Sequence, residues 1–180
     1  EGRKEGRKEG RKEGRKEGKK ETMVFEHCNG KYIIMGDADD SYNFLELSLF
    51  IERLQAGYDM VMGNRFAGGI TKGAMPWLHR YVGNPFLSSL GRFLFKNNIG
   101  DFHCGLRAFT KKCYNIINPQ CNGMEFASEL VALASIHQMR ICEIPVTLYP
   151  DGRKRRPHLR SWRDGFRHMV LLYSLYLLRN

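Results

Sequence analysis

Lys31-Tyr32-Ile33-Ile34-Met35-Gly36-Asp37-Ala38-Asp39-Asp40-Ser41-Tyr42 is the stretch on which the fold turns. Its first half is apolar and rich in β-branched residues, and it breaks into an acidic turn, so the expectation is a buried strand ending at Asp37. Working outward, Asn43 is placed to cap a helix over 44–55, with Leu45, Leu49 and Leu54 on one side and Gly57 as its stop. A second buried strand is expected over 59–63 and a Gly-rich loop over 64–75. Residues 76–96 read as helix bent at Asn84-Pro85. A strand over 103–109, a short helix to about 117 and an amphipathic helix over 124–137 follow. Residues 139–148 read as a strand that Pro145 confines to an edge or bulge. A basic loop over 149–161 leads to a last helix over 162–178 with one strongly apolar side. Strands alternating with helices predict an α/β fold with a mixed, mostly parallel sheet flanked by helices. Ligands in such sheets gather at the carboxyl ends of strands, which is where Asp37 and Asp39 fall.

The chain has 180 residues, 42% hydrophobic and 27% charged, which suits one globular domain with a real core. Its net charge of +10 is uneven. Residues 1–20 hold ten Lys/Arg against five Glu in a Glu-Gly-Arg-Lys repeat. A Gly in every fourth position costs a helix about 1 kcal/mol each, and no apolar face offsets it. Residues 1–21 therefore read as a low-complexity tail. No aromatic interleaves its charges, so nucleic acid is not the expected partner. A second basic cluster contains Arg153, Lys154, Arg155, Arg156 and Arg160, and reads either as a solvated face or as a site for an anion. Five cysteines without Cys-x-x-Cys spacing argue for a reduced, cytosolic chain and against zinc. The longest apolar run, 169–178, is too short to span a bilayer, which needs about 20 residues.

Two carboxylates at i and i+2, where a strand opens into a turn, both reach one hard cation. Mg²⁺ or Mn²⁺ takes one or two such carboxylates and fills its shell with phosphate oxygens and water. A calcium loop is excluded, because Tyr42 stands where that loop needs Gly and Ser48 where it needs Glu. An aspartyl-phosphate phosphatase would want further downstream signatures that are not evident. A plain acidic cap on the next helix stays open for the pair taken alone.

The pair is not alone. Ile33 to Tyr42 resembles the metal-binding segment of family 2 glycosyltransferases, whose relatives include dolichyl-phosphate mannose synthase and bacterial polyprenyl-phosphate glucosyltransferases. Gly57 to Phe66 resembles the family's G-x-D-x-V-x-G-S-R segment, and Asp101 to Phe109 its D-x-x-S/C-G-F/L-R segment. Glu143-Ile144-Pro145-Val146 is similar to its E-x-P-V strand, and 150–165 looks like the membrane-associated branch. The resemblance covers 31–178 and implies a nucleotide-diphospho-sugar transferase (GT-A-like) fold. The implied activity is inverting sugar transfer from a nucleotide-sugar donor to a polyprenyl (dolichyl-type) phosphate.

The resemblance also implies residue roles. Asp37 and Asp39 hold Mg²⁺ or Mn²⁺. Arg65 contacts diphosphate or acceptor phosphate, through the planar fork that guanidinium offers to such oxygens. Asp101 takes the position of a catalytic base, or positions the acceptor or an arginine. Gly105 admits a close approach of backbone, and Arg107 pairs with a phosphate or with Asp101. Glu129 lies near the acceptor, or on a solvated helix side. Arg153, Arg155 and His158 lie on a loop that closes over the donor or meets lipid headgroups. The helix over 162–180 lies in a membrane interface or packs on the core, which puts the protein at the cytoplasmic face of a membrane.

The family's first unit, with its P-x-x-N-E turn and D-x-S-x-D stretch, has no counterpart in this sequence. The expectation is a domain over 22–161 corresponding to the later part of the catalytic domain. It would bind donor weakly, lean on an oligomer or a complementing N-terminal half, or serve as an impaired remnant that binds a membrane or a partner.

Overall fold

The computed structural model describes residues 25, 27–121, 123–152 and 161–179, with the backbone alone for 161–164. The repeat tail and the cluster holding Arg153, Arg155 and His158 lie outside the described residues.

Four strands form one sheet in the order β1-β3-β2-β4: β1 Tyr32–Met35, β2 Met60–Asn64, β3 Arg107–Thr110 and β4 Ile141–Pro145. β2 and β4 pair in parallel, Met60 opposite Ile141. β3 runs against both its neighbours, with Ala108 opposite Ile34 on one side and Val61 on the other. Three strands thus share a direction, and the inserted β3 makes two of the three pairings antiparallel. Because β3 begins where β1, β2 and β4 end, the loop before it reaches the same end of the sheet as Asp37. β4 is an edge strand with Pro145 as its last residue, where the missing N–H costs no ladder bond.

Alternation along the strands gives the sheet two covered faces. Ile33, Met60, Met62 and Phe109 face a core shared with α4 (Lys111–Ile117) and α5 (Phe126–Ile136). Val61, Ala108 and Ile144 face a core shared with α1 (Leu47–Gln55). The contact side of α1 is Phe50 and Leu54, both buried; Leu45 and Leu49, expected inside, are 89% and 45% exposed. At about 100° per residue Leu54 shares its side of the helix with Phe50, while Leu49 points about 140° away from Leu54; Leu45 lies in a preceding 3-10 turn, Phe44–Glu46, where the Asn43 side chain accepts from the Leu45 N–H. Burying the Phe50 ring is worth about 1.5–3 kcal/mol.

A short helix α2 (Arg65–Gly68) follows β2, and its Gly68 is pressed so closely on Val146 that a Cβ would meet that residue's backbone. The bend expected at Asn84-Pro85 is a π-helical turn, His79–Gly83, running straight into α3 (Asn84–Phe95). Pro85, without an N–H, cannot donate into the preceding turn, which relaxes to the wider helix. The last helix, α6 (Ser161–Arg179), seats Leu172 against Leu94, Phe95 and Ala132 of α3 and α5. One side of α6 therefore belongs to the core.

Candidate active site

Three loops meet at the carboxyl end of β1 and β2. The first is the acidic turn. Asp37 is exposed and Asp39 half-buried. The Asp39 side chain accepts from the Ser41 N–H at 3.1 Å, and Asp40 takes a left-handed φ of 60° that Asp tolerates. The second loop, 101–106, enters from the other side. Gly105 lies directly against Asp37, and a Cβ there would overlap the Asp37 carboxylate. That overlap explains the glycine. The third, 147–152, straps across: Tyr149 donates to the Ser41 carbonyl and Gly152 to the Asp39 carbonyl, both at 3.0 Å, while Leu148 donates to Gly69 at 2.9 Å. Gly152 thereby lies beside the two aspartates.

Arg65 and Asp101 form a buried bidentate pair. Arg65 Nε donates to Asp101 Oδ2 at 2.6 Å and Nη2 to Oδ1 at 2.7 Å. The backbone N–H groups of Arg65 and His103 donate to the same carboxylate at 3.1 and 3.2 Å. Burial works against the Arg65 charge, but the bonds and attraction to Asp101 outweigh it and raise its pKa further. Glu143 supports the loop from below, its two oxygens accepting from the Gly100 and Asp101 N–H groups at 2.9 Å each. Arg107, expected at a phosphate or at Asp101, is instead buried and donates to the Ala127 and Cys104 carbonyls. Its Nε has no partner, and burial lowers its pKa.

The glycosyl transferase family 2 pattern matches residues 11–116. The chain belongs to glycosyl transferase family 2. It is 39% identical over 146 residues to a low-salt glycan biosynthesis hexosyltransferase of Haloferax volcanii, covering 81% of this chain and 35% of that one. It is 32% identical over 116 residues to a dolichyl-phosphate hexose transferase of the same organism, covering 63% of this chain and 48% of that one. It is 30% identical over 114 residues to a polyprenol monophosphomannose synthase of Mycolicibacterium smegmatis, covering 62% and 43%. Among solved structures, glucosyl-3-phosphoglycerate synthase from Mycobacterium tuberculosis, in complex with Mn²⁺, UDP-glucose and phosphoglyceric acid, matches with a TM-score of 0.61. That match has 15% identity and covers 85% of this chain and 52% of that one. The likeness shows a GT-A fold. The chain spans about half or less of the length of these relatives.

Among the described residues no group of three His, Cys, Asp or Glu is arranged to hold a metal unaided. Asp37 and Asp39 offer only hard oxygen donors, the set that suits Mg²⁺ or Mn²⁺ when phosphate and water complete the shell. The missing Cβ of Gly105 leaves room for the Asp37 carboxylate at that end of the sheet. The residues fit such an ion.

Glu129, expected near the acceptor or on a solvated side, is buried, and its oxygens accept from the Gln120 and Cys121 N–H groups at 3.0 and 2.7 Å. Its position is set by that loop. Sequence reasoning did not single out Tyr42, the support role of Glu143, or a buried chain in which Ser128 Oγ bonds His103 Nε2 at 2.9 Å and His168 Nδ1 at 2.8 Å. The Glu143 signal was present in the E-x-P-V block. The histidine chain joins residues 25 and 40 positions apart and has no local signature.

Proposed function

We propose that this chain handles the diphosphate and acceptor side of sugar transfer from a nucleotide-diphosphate sugar to a polyprenyl phosphate. Asp37 and Asp39 would hold Mg²⁺ or Mn²⁺, which when bound offsets charge developing on the diphosphate leaving group. Asp101 carries the choice of acceptor. It is fully buried with both oxygens engaged by Arg65, so no base stands ready at that position. A hydroxyl acceptor wants a base, whereas a phosphate is already anionic and attacks without one. In this reading Asp101 positions Arg65, whose guanidinium, its charge balanced by Asp101, would offer the phosphates an oriented hydrogen-bond donor rather than a net charge. The names of the dolichyl-phosphate and polyprenol relatives point the same way. The basic residues Arg153, Arg155 and His158, which follow Gly152 in sequence, would add phosphate contacts.

A membrane surface is the proposed location. No helix among the described residues is long and apolar enough to cross a membrane. Instead α6 leaves Phe166, Val170, Tyr173 and Leu177 exposed at helical spacing, and Trp77, Tyr81, Val82, Phe86 and Phe93 are exposed on and before α3, which packs beside it. Residues 66–100 and 165–180 contain no Asp or Glu. An apolar face on segments this poor in carboxylates suits a shallow seat in an anionic leaflet at its cytoplasmic side.

Transfer assays test the acceptor. With Mn²⁺ and labelled UDP- or GDP-sugars, a short polyprenyl phosphate is expected to accept sugar and the matching free polyprenol is not. Equal transfer to the free alcohol would overturn the reading. Asp37→Asn and Asp39→Asn are each expected to abolish the metal-dependent signal.

A further inference from the structure

Tyr42 has no role in the reading above, yet it touches the centre of the site. Its ring is buried among Val61, Cys104, Leu106, Val146 and Leu148. A buried tyrosine needs a partner for its oxygen, and this one accepts the Gly105 N–H at 3.0 Å, with Cys104 Sγ at 3.7 Å. Burial drives the phenol far above its ordinary pKa and pushes the Cys104 thiol up to about 11, so both groups stay neutral.

We propose that Tyr42 is a positioning residue for the Asp37 carboxylate, acting through the backbone of Gly105. Tyr42 and Asp37 are the two ends of one acidic turn, and Gly105 touches both: its N–H is held by the Tyr42 oxygen and its Cα carries the Asp37 carboxylate. The outer side of the turn is tied separately, by Tyr149 and Gly152 donating to the Ser41 and Asp39 carbonyls. Tyr42 ties the inner side. Without its oxygen the buried Gly105 N–H has no acceptor, and a buried donor seeks another orientation rather than stay unpaired. Rotating that peptide shifts the Cα on which Asp37 rests. A phenylalanine would fill the same apolar pocket and lose this tie. The turn thus contains both a carboxylate and the group that fixes where that carboxylate stands. The consequence for a metal rests on the reading of Asp37 as a ligand; the positioning itself does not.

The test uses the full chain with ¹³C-labelled aspartate and ¹⁵N-labelled glycine. Tyr42→Phe is expected to move the Asp37 carboxyl resonance and the Gly105 amide resonance in metal-free buffer. It is also expected to weaken Mn²⁺ binding in the presence of UDP by about tenfold, the size of one hydrogen bond. An unmoved Asp37 resonance in folded Tyr42→Phe protein would overturn the proposal. If the wild type binds no Mn²⁺, the metal reading falls and the carboxyl resonance still decides the role of Tyr42. Should Tyr42→Phe fail to fold, difluorotyrosine at 42 keeps the ring and weakens the oxygen as acceptor, with the same two outcomes.

Discussion

Arg65 and Asp101, 36 residues apart, meet in a bidentate pair whose carboxylate is wholly buried and also accepts the Arg65 backbone N–H. The pair fixes the start of α2 to the loop before β3, and so joins two sides of the site. Removing one charge from a buried pair leaves the other uncompensated, at a cost of about 3–5 kcal/mol. Asp101→Asn is expected to destabilise the protein by that amount in urea unfolding. Arg65→Lys should lose most of the same energy, since an ammonium cannot reproduce the fork. If Asp101 served as a catalytic base with no structural part, Asp101→Asn would unfold at the wild-type midpoint.

Gly105→Ala separates site geometry from stability. The added methyl would overlap the Asp37 carboxylate, an exposed side chain that would have to shift. The expected result is a fall of about tenfold or more in Mn²⁺-dependent nucleotide binding, with about 1–3 kcal/mol lost from stability for the overpacking. Calorimetry with UDP, with and without Mn²⁺, reads the first; urea unfolding reads the second. Unchanged metal-dependent binding would show that Asp37 needs no seat on Gly105.

How far the site could be read in advance depended on sequence distance. The strand before Asp37 and the acidic turn were visible because the apolar run and its break lie within a dozen residues. Gly105 was marked as a place of close approach, and the partner it approaches is Asp37. Arg65 and Asp101 were both singled out, but their mutual pairing was not: the local pattern favoured Arg107, two residues before Phe109 in the same block. The structure turns Arg107 inward to the Cys104 and Ala127 carbonyls, since it opens β3 and β3 is buried on both faces. Leu45, Leu49 and Leu54 do not share one side of a helix, since Leu49 and Leu54 stand about 140° apart at about 100° per residue; the i, i+4 pair Phe50 and Leu54 forms the buried side.

His103 gives the stability a pH dependence. Burial, then repulsion from His168, Arg65 and Arg107, holds its pKa well below the ordinary value. The unfolded chain takes up a proton near pH 6.5 that the folded chain refuses, so this contribution is fully present above that pH and shrinks below it. The expected loss is about 1.4 kcal/mol between about pH 7.5 and about pH 5.5. His103→Gln, which keeps a donor for Ser128 but does not titrate, should remove that share of the slope. Urea unfolding of both proteins at the two pH values measures it. Identical slopes would place His103 in a solvated, freely titrating state.

The exposed stripes on α6 and before α3 predict surface binding that depends on both shape and charge. Each large side chain buried in lipid is worth about 1.5–3 kcal/mol, or more than tenfold in affinity. Each Lys or Arg near an anionic leaflet adds about 1 kcal/mol. Trp77→Asp and Tyr173→Asp, both on exposed positions of otherwise separate helical segments, should each cut co-sedimentation with phosphatidylglycerol-rich vesicles by tenfold or more. Their unfolding midpoints should stay unchanged, because neither side chain is part of the core. Wild-type protein should bind phosphatidylcholine vesicles much more weakly, and salt should weaken the anionic binding further. A Tyr173→Asp protein that still binds, paired with a Trp77→Asp protein that does not, would move the seat from α6 to the segment before α3. Retention of binding by the double variant would remove both stripes as the lipid-facing surface.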